Sequence, residues 1–161
     1  MQREQSHDHS HCLAAALAAA ESLCASRGAR LTAIRRRVLE LVWSGHKAIK
    51  AYDILEELAR ESASAKPPTV YRALDFLLEQ GLIHRIESLN AFVGCPSPRR
   101  GHATQFLICD DCHTVIEMAC EGLEEDIAHE ADQRGFAVAR QMVEVHGRCQ
   151  RCLAQAVRAG D

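Results

Sequence analysis

Apolar positions in the first half of the chain recur at helical spacing between glycine and proline breaks. Leu13, Leu17 and Cys24 share one stripe of an Ala-rich run from Leu13 to about Ser26, and Gly28 follows as a stop. That stripe assigns Cys24 to a core rather than to a ligand set. Thr32 suits the N-cap of a second helix in which Ile34, Val38, Leu41 and Val42 repeat. Arg35, Arg36 and Arg37 fall largely on its other, solvated side, and Gly45 is its expected stop. A third helix, from about Ala51 to Glu61, carries the stripe Ile54, Leu55, Leu58 and Ala59. After Lys66-Pro67-Pro68 a fourth helix is expected from near Thr69 to just before Gly81. Its buried face is Val70, Ala73, Leu74, Leu77 and Leu78, at i, i+3, i+4, i+7 and i+8. Tyr71, Arg72 and Asp75 are left pointing outward. Two β-prone runs, Leu82 to Glu87 and Ala91 to Gly94, meet at Ser88-Leu89-Asn90 and predict a hairpin. Three helices and a hairpin after a leader helix predict a winged helix-turn-helix. The last helix of such a module enters the major groove and presents its N-terminal side chains to base edges.

The periodicity lapses at Cys95-Pro96-Ser97-Pro98-Arg99-Arg100-Gly101, the best linker in the chain. Beyond it the pattern predicts a strand at Thr104 to Cys109, a turn, and a strand at Thr114 to Met118. A helix at about Cys120 to Arg134, a strand at Phe136 to His146 and a short helix after Cys152 follow. The expected architecture is α+β: a winged-helix domain over residues 1–94, a hinge over 95–103, and a small α/β domain over 104–161. Residues 1–11 read as a polar tail in which His7, His9 and His11 alternate; it is either a flexible leader or a weak accessory metal site.

Net charge changes this picture only when divided. The whole chain of 161 residues carries −3, but residues 1–94 hold 12 Lys+Arg against 11 Asp+Glu and residues 95–161 hold 7 against 11. The balances, +1 and −4, leave the first half able to meet a polyanion and the second half poorly suited to it. An excess of one charge makes any nucleic-acid contact a matter of local arrangement. The longest low-polarity stretch, Cys12 to Ala20, is too short to span a bilayer and lacks the charged flank of a signal peptide. A cytoplasmic location is therefore expected. Eight cysteines in a reducing compartment point to metal or redox chemistry rather than disulfides.

Four of those cysteines form two C-x-x-C pairs, Cys109-Asp110-Asp111-Cys112 and Cys149-Gln150-Arg151-Cys152, with 36 residues between them. Two such pairs complete a tetrahedral Cys₄ set, which is typical of structural zinc and leaves no open position for water. A dithiol oxidoreductase is disfavoured, because neither pair is expected to open a helix after a strand in a βαβ unit. A looser set is His84 in the hairpin, Cys95 and His102 at the two ends of the linker, and Glu117 on the strand after the first pair. Singly, each has an ordinary structural explanation. Together they offer N₂SO ligation that suits tetrahedral zinc, and the thiolate disfavours magnesium, calcium and manganese.

The run Lys66-Pro67-Pro68-Thr69-Val70-Tyr71-Arg72-Ala73-Leu74-Asp75-Phe76-Leu77-Leu78-Glu79-Gln80-Gly81 resembles the recognition-helix signature of the ferric uptake regulator family, and closely that of its zinc branch. Arg30-Leu31-Thr32 with Arg35, Ala51-Tyr52-Asp53, His84-Arg85-Ile86-Glu87-Ser88, Phe106 to Cys112 and His146 to Cys152 are similar to the remainder of that pattern. The resemblance covers about residues 12 to 155. It implies a homodimeric, zinc-responsive transcription repressor of zinc-uptake genes that binds a pseudo-palindromic operator. It implies two zinc ions per subunit: a structural ion on Cys109, Cys112, Cys149 and Cys152, and a regulatory ion on His84, Cys95, His102 and Glu117. It implies that Tyr71 and Arg72 contact DNA, with Lys66, Thr69 and Arg85 meeting phosphates. No catalysis, membrane partner or small-molecule substrate is implied. The His-rich run that iron and peroxide sensors of the family carry is reduced here to Gly101-His102-Ala103-Thr104. That sensor class is the first alternative and a zinc hydrolase the second; the H-x-E…P-C-x-x-C pattern of zinc deaminases is missing. His113, Cys120, His129 and His146 receive no role.

Overall fold

In the computed structural model, described for residues 9–45, 47–61, 66–98, 104–120 and 122–159, the chain forms two compact units, Met1–Pro98 and Arg99–Asp161. His7 and His102 lie outside the described residues.

Four helices and a hairpin build the first unit: α1 (His9–Ser26), α2 (Ala33–Val42), α3 (Ala51–Glu61), α4 (Pro67–Glu79), β1 (Ile83–Ile86) and β2 (Ala91–Gly94). Helix α1 begins at His9, so the backbone of His9 and His11 is helical rather than part of a loose tail. The predicted stripes converge on one core. Leu17 and Cys24 of α1, Val38 and Val42 of α2, Ile54 and Leu58 of α3, and Val70, Leu74 and Leu77 of α4 are all buried. Helix α2 ends at Val42, and Trp43, two residues before Gly45, is its C-cap. Helix α4 starts at Pro67 rather than Thr69. Both prolines sit in its first turn, where no backbone N–H is required.

Arg36 and Arg37 do not simply face solvent. Arg36 pairs with Glu21 of α1 and with Glu40, while Arg37 bonds Glu61 of α3, Nε to Oε2 at 2.9 Å. The guanidinium of Arg35 lies 3.6 Å from the centre of the Phe76 ring, joining α2 to α4 by a cation–π contact.

The end of α4 sets the direction of the hairpin. Gly81 takes φ +69°, a left-handed conformation that a side chain would strain. Its N–H donates to Leu78 O at 2.9 Å, and the Leu82 N–H donates to Leu77 O at 2.9 Å. This pair of bonds closes the helix and turns the chain directly into β1. Strands β1 and β2 pair antiparallel with Ile83 opposite Gly94. Ile49 adds a bridge to Phe92, N to O at 2.9 and 2.8 Å, which a single residue's pattern could not announce.

The second unit holds β3 (Thr104–Cys109), β4 (Val115–Met118), α5 (Leu123–Gln133), β5 (Met142–Gly147) and α6 (Gln150–Ala159). Its sheet runs β4-β3-β5, antiparallel between β3 and β4 and parallel between β3 and β5. Phe106 and Ile108 of the central strand are buried. Three element boundaries differ from the pattern. Helix α5 begins at Leu123, after the left-handed Gly122. Strand β5 begins only at Met142, opposite Thr104, because a strand extends no further than its partner; Phe136 instead closes α5, its N–H donating to Ala131 O at 2.9 Å. Helix α6 begins at Gln150, so Cys152 lies inside its first turn rather than before it. Among the described residues no helix is long and apolar enough to cross a membrane.

Leu77 is fully buried where α4 meets the rest of the first unit's core. Leu77→Ala is expected to cost about 2–5 kcal/mol by leaving a cavity. Denaturant unfolding followed by circular dichroism checks it; a loss below about 1 kcal/mol would show that α4 does not pack as described.

Candidate metal centre and nucleic-acid interface

Parallel pairing of β3 with β5 sets Cys109 opposite Gly147 at the same sheet edge. Each strand then leads into its cysteine pair. After β3 a tight turn places His113 at φ +57°, its N–H donating to Cys109 O at 2.8 Å, while the Cys109 N–H donates to Thr114 O at 3.0 Å. After β5, Cys149 immediately precedes α6 and Cys152 sits one turn on. The second pair therefore leads into a helix that starts at Gln150, ahead of Cys152, and not after Cys152 as the sequence pattern suggests.

The four sulfurs of Cys109, Cys112, Cys149 and Cys152 all lie within 4.8 Å of one another, with Cys112 and Cys149 at 3.7 Å. Tetrahedral zinc–thiolate bonds of about 2.3 Å require sulfurs about 3.8 Å apart. The cluster thus fits a single ion with little adjustment. Its charge state points the same way. The Thr114 hydroxyl, 3.2 Å from the Cys112 sulfur, holds that thiol down at about 5. The Cys149 N–H, 3.3 Å from the Cys109 sulfur, lowers Cys109 as well. Cys152, beside the Cys149 sulfur, is pushed up to about 12. Sulfurs this close cannot all ionise unless a cation neutralises them. Thr114 carried no signal in the sequence; its part depends on a turn that only the folded strand pair creates. Flanking the cluster, His146 Nδ1 meets Asp110 Oδ1 at 2.9 Å and Arg148 pairs with Asp111 at 3.1 Å.

In the first unit, the His84 ring and the Cys95 sulfur offer donor atoms within 4.8 Å of each other. His84 is on β1, and Cys95 directly follows β2. Both residues are buried. The Cys95 N–H donates to Leu82 O at 3.0 Å, so Cys95 extends the hairpin ladder instead of starting a loose linker. Glu117 is held on β4 of the second unit, opposite Phe106. His102 lies outside the described residues.

At the other end of α4, Lys66, Thr69, Tyr71, Arg72 and Asp75 are exposed, and Tyr71 is 55% accessible. Among the described residues no carboxylate pairs with Lys66 or Arg72. Arg85, exposed on β1, donates to Asn90 Oδ1 at 3.0 Å and pairs with Glu87 at 3.2 Å. Cys120 is exposed and belongs to neither group of clustered donor atoms, and His129 contacts Gln133 on α5 at 2.8 Å.

Comparison with known proteins places these features in context. The sequence profile described as "Ferric uptake regulator family" matches residues 26–146. The zinc uptake regulation protein of Escherichia coli (strain K12) is 46% identical over 138 residues, covering 85% of this chain and 81% of that protein. A solved structure described as a zinc uptake regulator complexed with zinc and DNA superposes with a TM-score of 0.86 at 43% identity, covering 90% of this chain and 97% of the other. The crystal structure of holo XcZur gives 0.79 at 44% identity, covering 86% and 96%. A profile match through both units and a relative sharing nearly half of its aligned residues carry the conclusion: the chain belongs to the ferric uptake regulator family.

Proposed function

We propose that the chain is a zinc-responsive transcriptional repressor that binds operator DNA as a homodimer. One observation carries the reading most directly. The hairpin that brings His84 and Cys95 together is hydrogen-bonded, through Leu82, to the end of the helix that exposes Tyr71 and Arg72. Metal ligation and base reading are thus built on one continuous stretch of backbone. The likeness to a regulator solved with zinc and DNA supports the same assignment.

Two ions per chain fit the donors. Cys109, Cys112, Cys149 and Cys152 would hold a structural zinc whose binding free energy is part of the second unit's folding free energy. His84, Cys95, His102 and Glu117 would hold a regulatory zinc. Imidazole, thiolate and carboxylate form a set that suits zinc and disfavours harder cations. Held by these residues, zinc would supply coordinate bonds reaching elements of both units, and its binding would favour one orientation of the first unit against the second. His84 and Cys95 transmit that choice through the hairpin to α4. A two-fold dimer fits a pseudo-palindrome when its two recognition helices lie roughly 34 Å apart, or a multiple of that. The change is a population shift, and linkage requires operator DNA to tighten zinc binding by the same factor.

The second unit supports dimerisation. Leu107, Ile116 and Val145 stand in register across the three strands, 41%, 50% and 43% exposed. Helix α5 has no buried residue within its own chain. A second copy would cover this apolar surface. On DNA, Arg72 would read a purine edge while Lys66, Thr69 and Arg85 position the protein on phosphates.

Arg72→Ala is expected to cost about 1–3 kcal/mol of operator binding and to blunt sequence preference. A gel-shift titration showing parental affinity would remove Arg72 from the interface. Cys95→Ser is expected to stay a folded dimer that retains one zinc per chain and loses zinc-dependent DNA binding. Titrating zinc, iron and manganese against DNA binding checks this, and a normal zinc response from the variant would overturn the hinge reading. At the Cys₄ site, protons compete with metal for all four sulfurs, most strongly at Cys152. Retained zinc should therefore fall as pH is lowered, and the second unit should unfold with it. Metal analysis beside circular dichroism follows both; a second unit that stays folded after zinc removal would contradict a structural role.

A further inference from the structure

The sequence contains a single tryptophan, Trp43, which caps the C-terminus of α2. Its indole lies against the backbone of Gly94, the last residue of β2 and the neighbour of Cys95. The fit leaves no space for a side chain. A Cβ on Gly94 would overlap Trp43 Cε2 and Nε1 and stand 2.7 Å from Cδ2. Gly94 is not among the glycines with positive φ, so the backbone there would accept any residue. The atoms nearest to such a Cβ all belong to the indole. Trp43, Leu82 and Cys95 also line one apolar cavity of about 400 Å³, in which Leu82 O is the acceptor for the Cys95 N–H at 3.0 Å.

We propose that Trp43 and the bare backbone of Gly94 form a complementary pair that positions Cys95 for metal ligation. Trp43 is a positioning residue: it touches no metal and acts by fixing the strand end from which the thiolate projects. The inference rests on the hinge-zinc reading, and adds the residue that sets the affinity of that site. Outer-shell groups hydrogen-bonded to a ligand alter metal affinity about 10- to 100-fold, and a packing contact one residue from the ligand is expected to act at the lower end of that range. Because α2 packs against α4 through Arg35 and Phe76, the same indole also joins the ligand to the helix pair that would meet DNA.

The test uses the full-length chain with its Cys₄ zinc retained, titrated with Co²⁺. In the parent, Co²⁺ is expected to give a thiolate-to-metal charge-transfer band that Cys95→Ser lacks, and to quench Trp43 fluorescence. Gly94→Ala should weaken this Co²⁺ binding about 10- to 100-fold and shift the band. Trp43→Leu, which removes the backing without crowding it, should weaken binding about tenfold and carries the test if Gly94→Ala does not fold. Trp43→Leu/Gly94→Ala, which restores the fit from the opposite side, should return affinity to within about threefold of the parent. A general loss of stability would not be repaired by the second substitution in this way. Parental affinity in Trp43→Leu, or a double variant no tighter than Gly94→Ala, would overturn the positioning role while leaving the hinge reading intact. A Cys95→Ser protein that kept the charge-transfer band would overturn both.

Discussion

Two backbone hydrogen bonds in series hold the functional logic of this chain together. The Leu82 N–H bonds to Leu77 O at the end of α4, and the Cys95 N–H bonds to Leu82 O. Neither involves a side chain, so neither depends on rotamer choice. Together they join the hairpin that carries His84 and Cys95 to the helix that carries Tyr71 and Arg72. On the proposed reading, a reorientation imposed on His84 and Cys95 would move the whole first unit rather than melt a loop. Gly81 is the residue that permits this, since its left-handed backbone turns the helix end straight into the strand.

The second unit solves a different problem. It is small, no residue of its helix α5 is fully buried within its own chain, and its sheet leaves an apolar row exposed. Apolar burial alone supports so small a domain poorly. On the proposed reading, an ion on the four clustered thiols and a symmetric partner would offset that shortage. The opposed titration of the sulfurs expresses the same crowding: Cys112 is stabilised as a thiolate by Thr114 while Cys152 is held protonated. On the proposed reading a dication resolves the conflict, and its binding free energy becomes part of the folding free energy.

The arginine run illustrates how charge is reused inside the first unit. Arg36 and Arg37 join α2 to α1 and α3 through Glu21 and Glu61, and Arg35 stacks on Phe76. Exposed pairs of this kind contribute little energy each. They link α2 to each of the other three helices of the first unit, α4 among them.

Local patterns in the sequence were enough for the helical stripes, the hairpin, both glycine stops at Gly28 and Gly81, and the two cysteine pairs. Each arises from residues within one or two turns of each other, where periodicity and backbone preference act directly. The late start of β5 and the early starts of α4 and α6 were not legible, because an element's end is set by its partner or its first unpaired N–H. Thr114 beside Cys112, Ile49 on the hairpin and Trp43 against Gly94 were equally silent: each is a contact between segments distant in sequence or created by a turn. Residue types and spacing therefore determined which chemistry this chain carries, whereas tertiary packing alone decided which atoms meet, since pairing across a sheet or against an indole depends on three-dimensional distance and leaves no periodic trace.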